Sequence, residues 1–414
     1  MDSGPCDSSA KRGSTSRIAV LALGSFSILL SVCILVPAPN LTFLPLTVAV
    51  PELTPWLAAG NLAAAAMAAL FYRRAVFYRR AMPVFLASLL LAFGLLAQVR
   101  PVQVEMNRQM EPFQTAQPAK GRDASPMPAA TTLAAIFRDS FRGIPLPRVA
   151  TERLPMNILF YHQPYDRSVA PPAKTARPAV IDIYGGAWQR GSPEDNRDFH
   201  RYLLARGYAV FAIDYRHAPA AQFPAQIHDV QAAISFILSS AAEFNVDPRR
   251  VVLCGHSSGA QLALLAAYQG IPVDDALIPI AGVISFYGPP DLAAGYSDVP
   301  SPDPIHVRAV LEAYLGGTPA QVAGRYRDAS PVTYVREGLP PTLLIQGGRD
   351  HIVKPRFARE LYRKLIDTGN RAYLLEIPWS EHAFDAVFRG VGNQLALFYV
   401  DEFLSEVAAR ADNS

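Results

Sequence analysis

Cysteine is nearly absent: three occur in 414 residues, at Cys6, Cys33 and Cys254, too few for a disulfide framework or a cysteine-based metal cluster. Charge is scarce as well. Asp, Glu, Lys and Arg make up 18% of the chain and the formal net charge is +3, with much of the basic excess beside the N-terminal hydrophobic stretches. Nothing here forms the basic stripe of a nucleic-acid binder. No Lys-Ser or Lys-Thr follows Gly185-Gly186, so that turn is not a phosphate cradle. The chain has no internal repeats, and neither a cofactor nor a metal is expected.

Long runs without charge are plentiful. Ile18 to Val36, Pro55 to Tyr72 and Ala81 to Val99 carry no Asp, Glu, Lys or Arg, and each is long enough to span a bilayer. Lys11, Arg12 and Arg17 precede the first run, and Arg73, Arg74, Arg79 and Arg80 lie between the second and third. Residues 37–54 contain neither Lys nor Arg. Because basic loops stay in the cytoplasm, three crossings are expected, with the N-terminus inside and everything beyond residue 99 outside. Asn61 is placed to pack between spans by hydrogen bonding. The resulting division is a cytoplasmic N-terminus (1–17), a membrane domain (18–99), a linker with an amphipathic helix (100–145) and a catalytic domain (146–410). In the third part, 100–131 shows no sustained period. Leu133, Ile136, Phe137 and Phe141 share one helical face, expected to pack on the catalytic domain.

Beyond residue 156 the pattern changes to short apolar runs separated by helical spacing. Ala179–Tyr184, Ala209–Tyr215, Val251–Gly255, Ala281–Tyr287, Thr342–Gln346 and Ala372–Ile377 lack alternation, as parallel strands buried on both faces do. Met156–Tyr161 is expected in an edge hairpin. Helical patterns at Gln226–Phe244, Ser258–Gln269, Pro355–Thr368 and Gln394–Ala408 lie between or after the strands, so the fold class is α/β, a doubly wound and mainly parallel sheet.

The chemistry sits where those elements join. In Gly255-His256-Ser257-Ser258-Gly259 a serine occupies a strand-turn-helix junction, the pattern of a nucleophile elbow, with glycines two before and two after it. A serine nucleophile needs a base, and the base needs a carboxylate to fix its tautomer. Asp350 follows the strand Thr342–Gln346, and His382 follows Ala372–Ile377. Glu381 and Asp385 are rival acids, but both lie too near His382 in sequence to reach its far nitrogen easily. For the oxyanion, Gly186 and Ala187 end an early strand and Ser258 follows the nucleophile, so their N–H groups are the candidate donors. His256 reads as a supporting or pocket-wall residue, and Cys254 as a small hydrophobe under the turn.

On these motifs, residues from about Met156 to Ala408 resemble the α/β-hydrolase superfamily, close to its hormone-sensitive-lipase-like and acyl-esterase (carboxylesterase) branch. Tyr184-Gly-Gly-Ala-Trp188 resembles that branch's His-Gly-Gly-Gly-Trp loop, with Tyr184 in place of the histidine and Ala187 in place of the third glycine. Asp214-Tyr-Arg-His-Ala-Pro219 resembles its Asp-Tyr-Arg-Leu-Ala-Pro segment, and Asp214, Tyr215 and Arg216 read as a structural polar cluster. Leu315-Gly-Gly-Thr-Pro319 and Ala329-Ser-Pro331 resemble the segment before its acid strand. The same Tyr-Gly-Gly-Ala-Trp loop is also similar to membrane-bound prenylcysteine methylesterases.

The expectation is therefore a membrane-anchored serine carboxylesterase or lipase-like enzyme acting on a small-molecule or lipid ester, its other partner being the lipid bilayer. A prenylcysteine-methylesterase-like or lipid-esterase activity is the alternative within the same chemistry. A non-catalytic hydrolase-fold receptor or scaffold is the alternative outside it. All candidate catalytic groups lie beyond Met156, so the spans are expected to tether a hydrolase that works unaided.

Overall fold

Runs of β-branched and aliphatic residues without polar alternation can be satisfied only by burial on both faces, and they form one eight-stranded sheet. The structure, a computed structural model, describes residues 26–27, 29–30, 33–71, 76–114, 133–162, 176–273, 276–278 and 280–411. The strands are β1 (Ala150–Arg153), β2 (Leu159–His162), β3 (Arg177–Ile183), β4 (Ala209–Ile213), β5 (Val246–His256), β8 (Gly282–Phe286), β9 (Thr342–Gly347) and β10 (Ala372–Ile377), in the order β1-β2-β4-β3-β5-β8-β9-β10. A separate ribbon joins β6 (Ile271–Val273) to β7 (Ala276–Ile278). From β4 to β10 all pairings are parallel, while β1 and β2 form the expected antiparallel edge hairpin.

Helices cover both faces. In chain order they are α1 (Leu44–Glu52), α2 (Thr54–Phe71), α3 (Val76–Ala97), α4 (Val99–Gln114), α5 (Leu133–Arg142), α6 (Arg197–Ala205), α7 (Ala225–Ser239), α8 (Ser258–Gln269), α9 (Leu292–Ser297), α10 (Val307–Leu315), α11 (Ala323–Asp328), α12 (Pro355–Asp367) and α13 (Val391–Ala411). Successive side chains of a strand point to opposite faces. Ala179, Ile181 and Ile183 of β3 thus join a core with α7, α8 and α12. Val180 joins a second core with α6, α13 and, unexpectedly, α4.

The first expected span falls mostly outside the described residues. α2 and α3 lie side by side through Ala64, Ala65, Ala68 and Phe85, and Asn61 accepts a hydrogen bond from Ser27 Oγ at 2.5 Å. Among the described residues one helix, Met82–Glu111, is long and apolar enough to cross a membrane; α1 with α2 adds a second if their 75° bend lies within one span.

Residues 99–114 differ from the structureless linker expected of them. Val102, Met106 and Met110 recur every fourth residue and are buried, a helical stripe hidden among polar neighbours. Gln109 occupies the open edge of the sheet: its Oε1 accepts from Leu374 N at 2.8 Å and its Nε2 donates to Leu374 O at 3.4 Å, as a neighbouring strand would. Residues 115–132 lie outside the described residues. α5 packs as expected, with Gln394 Nε2 of α13 donating to Ser140 Oγ at 3.0 Å.

The N-terminal segment also packs on the sheet domain. Arg349 Nη2 donates to Leu35 O at 2.6 Å, and Trp56 Nε1 donates to Ser140 O at 3.3 Å with its ring 4.1 Å from Phe141. Glu52 is wholly buried and accepts from Ser380 Oγ at 2.5 Å and from Gly392 N at 2.6 Å. Removing that carboxylate strands two buried donors, each costing about 1–3 kcal/mol. Glu52→Ala should therefore lower the stability of the full chain by about 2–4 kcal/mol in thermal or denaturant unfolding. Wild-type stability would mean that α1 is not seated in this loop.

Candidate active site

β5 ends against α8 in a turn too tight for ordinary residues. Ser257 takes φ 52° and ψ −117°, a strained conformation held by its surroundings. A Cβ on Gly255 would meet Gly259 O at 2.4 Å, and one on Gly259 would meet Ile183 O at 2.1 Å. Only glycine allows β3, β5 and α8 to converge there. Ser257 consequently stands at the N-terminus of α8, whose exposed N–H dipoles favour negative charge.

The three residues expected to act together do meet. His382 Nε2 lies 2.9 Å from Ser257 Oγ, and its Nδ1 lies 2.8 Å from Asp350 Oδ2. Asp350 is fixed in turn: its Oδ1 accepts from Ile352 N at 2.8 Å and Val353 N at 2.7 Å, and its Oδ2 accepts from Gln346 Nε2 at 2.9 Å. Burial disfavours a charged His382, but Asp350's charge and hydrogen bond, with Glu381 and Asp385 behind them, outweigh it and raise the histidine's pKa.

Each rival acid serves a different histidine. Glu381 faces His351 Nδ1 at 2.5 Å and accepts from His351 N at 2.6 Å. Asp385 lies 2.7 Å from His256 Nδ1 and accepts the Tyr287 hydroxyl. His256 thus sits under the elbow between Asp385 and Asp182, whose Oδ1 is 3.3 Å from Nε2, an ion-pair contact without hydrogen-bond alignment. Burial works against its charge, yet the two carboxylates raise its pKa well above the ordinary value.

Asp182, Cys254 and His256 bring three donor atoms within 4.8 Å of one another, the grouping that among the described residues most resembles a metal site. Its chemistry does not suit one. Burial pushes the Cys254 thiol up to about 12, and the carboxylates of Asp182 and Asp385 favour the protonated form of His256, so thiol and imidazole both lean away from the deprotonated forms that bind a metal.

The oxyanion candidates face the same space. Gly186 and Ala187 line a cavity of about 500 Å³ with Ser257 and His382, and Ser258 joins Ala187 and Ser257 in a side pocket of about 50 Å³. Among the described residues none of the three N–H groups has an acceptor. The loop carrying Gly186 is pinned on both sides. Tyr184 donates its hydroxyl to Asp214 Oδ1 at 2.5 Å and stacks on Tyr215 at 4.6 Å. Trp188 stacks on Tyr314 at 4.2 Å and donates to Gln261 Oε1 at 2.9 Å. Tyr184, Asp214 and Tyr215 are therefore structural. Arg216 likewise pairs with Asp229 at 2.8 Å.

Sequence reasoning missed Leu41 and Leu44, which line the main cavity, and Glu52. One signal was available for the last: Glu52 is the sole acidic residue between Asp7 and Glu105, and a lone carboxylate between apolar runs needs a specific partner.

The BD-FAE family profile matches residues 168–365. The probable carboxylic ester hydrolase LipM of Mycobacterium tuberculosis (strain ATCC 25618 / H37Rv) is 29% identical over 245 residues, 56% of this chain and 55% of that protein, so the chain spans about half of LipM's length. The acetyl-hydrolase of Streptomyces hygroscopicus is 34% identical over 222 residues, 51% of this chain and 70% of that protein. In fold, carboxyl esterase 2 of the mycorrhizal fungus Tuber melanosporum is similar with a TM-score of 0.51 at 20% identity, over 62% of this chain and 85% of that one. With an eight-stranded, mostly parallel sheet and a serine at the turn between β5 and α8, the chain belongs to the hormone-sensitive-lipase-like esterases of the α/β-hydrolase superfamily.

Proposed function

We propose that the protein is a membrane-anchored serine carboxylesterase that works through an acyl-enzyme. The observation that carries this reading is the relay from Ser257 Oγ through His382 to Asp350, with 2.9 Å and 2.8 Å separations. Ser257 Oγ attacks the ester carbonyl while His382 Nε2 takes its proton, and the negative charge gathers on an oxygen facing the N–H groups of Gly186, Ala187 and Ser258. His382 then protonates the leaving alcohol, and the C–O bond breaks. Water activated by the same histidine hydrolyses the acyl-enzyme and returns Ser257. Asp350 holds the tautomer that keeps Nε2 free to accept.

The anchor belongs to the same proposal: residues 18–99 form a multi-pass membrane domain, and 146–410 lies on the extracytoplasmic side. Two features support it. In sequence, four arginines, Arg73, Arg74, Arg79 and Arg80, separate the second apolar run from the third. The segments leaving the other end of that hairpin, α1 and α4, both pack on the hydrolase.

With p-nitrophenyl esters of increasing acyl length, the full chain should hydrolyse at least the short ones. Ser257→Ala and His382→Ala should each lower kcat by a factor on the order of 10⁴ or more, and Asp350→Asn by about 10⁴ through the wrong tautomer. Full activity in Ser257→Ala would overturn the mechanism, whereas a wild-type protein that hydrolyses no ester would leave the scaffold reading. A crippling Asp385→Asn beside a mild Asp350→Asn would reassign the acid. The pH profile follows from the raised His382 pKa. The base acts only when neutral, so kcat/KM should fall as pH drops through a midpoint above the ordinary histidine value of about 6.5. For the anchor, a reporter fused after Ser414 should be active only outside the cytoplasm and one inserted at Phe77 only inside. The reverse pattern would overturn the orientation.

A further inference from the structure

The surface around the cavity mouth is of a kind water does not favour. No Asp, Glu, Lys or Arg occurs from residue 18 to 51. α1 lies on the hydrolase with Val48, Val50 and Glu52 buried inward, as the hydrogen bonds of Glu52 require. A helix on a wet surface then turns polar side chains outward. This segment turns out Leu41, Phe43 and Leu46, which are 46%, 48% and 42% exposed. Leu41 and Leu44 also line the cavity, together with Arg190 and Asp195.

Two observations say what covers this face. The outward side chains of α2 and α3 are apolar as well: Leu62, Leu70 and Leu90 are 59%, 78% and 72% exposed. And α1 meets α2 at 75°. If α2 crosses a bilayer, α1 lies nearly in the plane of its surface, the attitude of an interfacial helix. Trp56 stands at the bend, where aromatic residues mark the edge of the hydrocarbon.

The interior sets the shape of the molecule that fits. Beside Ser257 the side pocket, walled by Trp188, Leu292, Ile305, Val310 and Phe357, offers only about 50 Å³, room for a short group. The roomier cavity next to it, about 500 Å³, has Leu41 and Leu44 in its lining and can take a longer apolar chain.

Resting on the membrane-anchored esterase reading, we propose that the substrate is an amphiphilic ester held in the bilayer. Its apolar chain stays in lipid and passes Leu41 and Leu44, while the short side of its ester occupies the pocket beside Ser257. α1 is the surface on which the membrane presents it.

The test uses the full chain reconstituted in phosphatidylcholine vesicles, with hexadecyl acetate in the bilayer and p-nitrophenyl acetate in solution. The readout is the ratio of kcat/KM on the two esters. In Phe43→Asp/Leu46→Asp, two charges placed on the outer face of α1 should lower that ratio at least tenfold, whereas Phe43→Leu/Leu46→Phe should preserve it. Turnover of the soluble ester reports that each variant is folded. A ratio unchanged within twofold in the aspartate variant overturns the proposal. So does a wild-type protein that cleaves p-nitrophenyl acetate and ignores the bilayer ester, and in that case the esterase reading stands. Cleavage of neither ester defeats the esterase reading itself. A dimer lost in the aspartate variant with the ratio intact would make this face an interface between copies and would equally overturn presentation by lipid.

Discussion

The geometry of the site depends on a steric constraint at one corner. β3, β5 and α8 approach so closely at Gly255 and Gly259 that an added Cβ would sit 2.1–2.4 Å from backbone oxygens. That approach forces Ser257 into its left-handed conformation, sets it at the head of α8, and brings the loop after β3 beside it. The oxyanion candidates and the nucleophile are neighbours because the backbone there has no room to be elsewhere.

A second ordering principle is the sorting of acids among histidines. Asp350 pairs with His382 at 2.8 Å, Asp385 with His256 at 2.7 Å, Glu381 with His351 at 2.5 Å and Asp182 with His200 at 2.8 Å. Buried carboxylates are costly unless paired, so each partner is specified. The outcome is that a single pair points at Ser257. The His256 pair lies beneath the elbow, where it ties β3, β5 and the loop of residues 384–386 together from below.

The N-terminal segment changes what counts as the folded hydrolase. Glu52 enters the loop that carries His382 from a stretch read as a connection between spans, and Gln109 closes the edge of β10. The N-terminal segment and the sheet domain thus share a core that includes Leu95, Val99, Met106 and Met110 beside Tyr373 and Tyr399.

The sequence by itself determined the main strands, their largely parallel pairing and the choice of Ser257, Asp350 and His382 as residues that meet, because each is written locally: apolar runs give burial on both faces, glycines flank the serine, and Asp350 and His382 follow their strands. It also determined that Asp350 rather than Glu381 or Asp385 serves His382, since a residue one to three positions away cannot easily reach the far nitrogen. Tertiary structure alone decided which histidines take the rival acids, that residues 99–114 form a helix on the sheet edge, and that α1 lies over the cavity with Glu52 inside. Those are contacts between residues up to 340 positions apart. The stripe of Val102, Met106 and Met110 and the isolation of Glu52 are local, but their partners are not; these are chosen only when a buried polar group must find a partner and an open sheet edge must be closed.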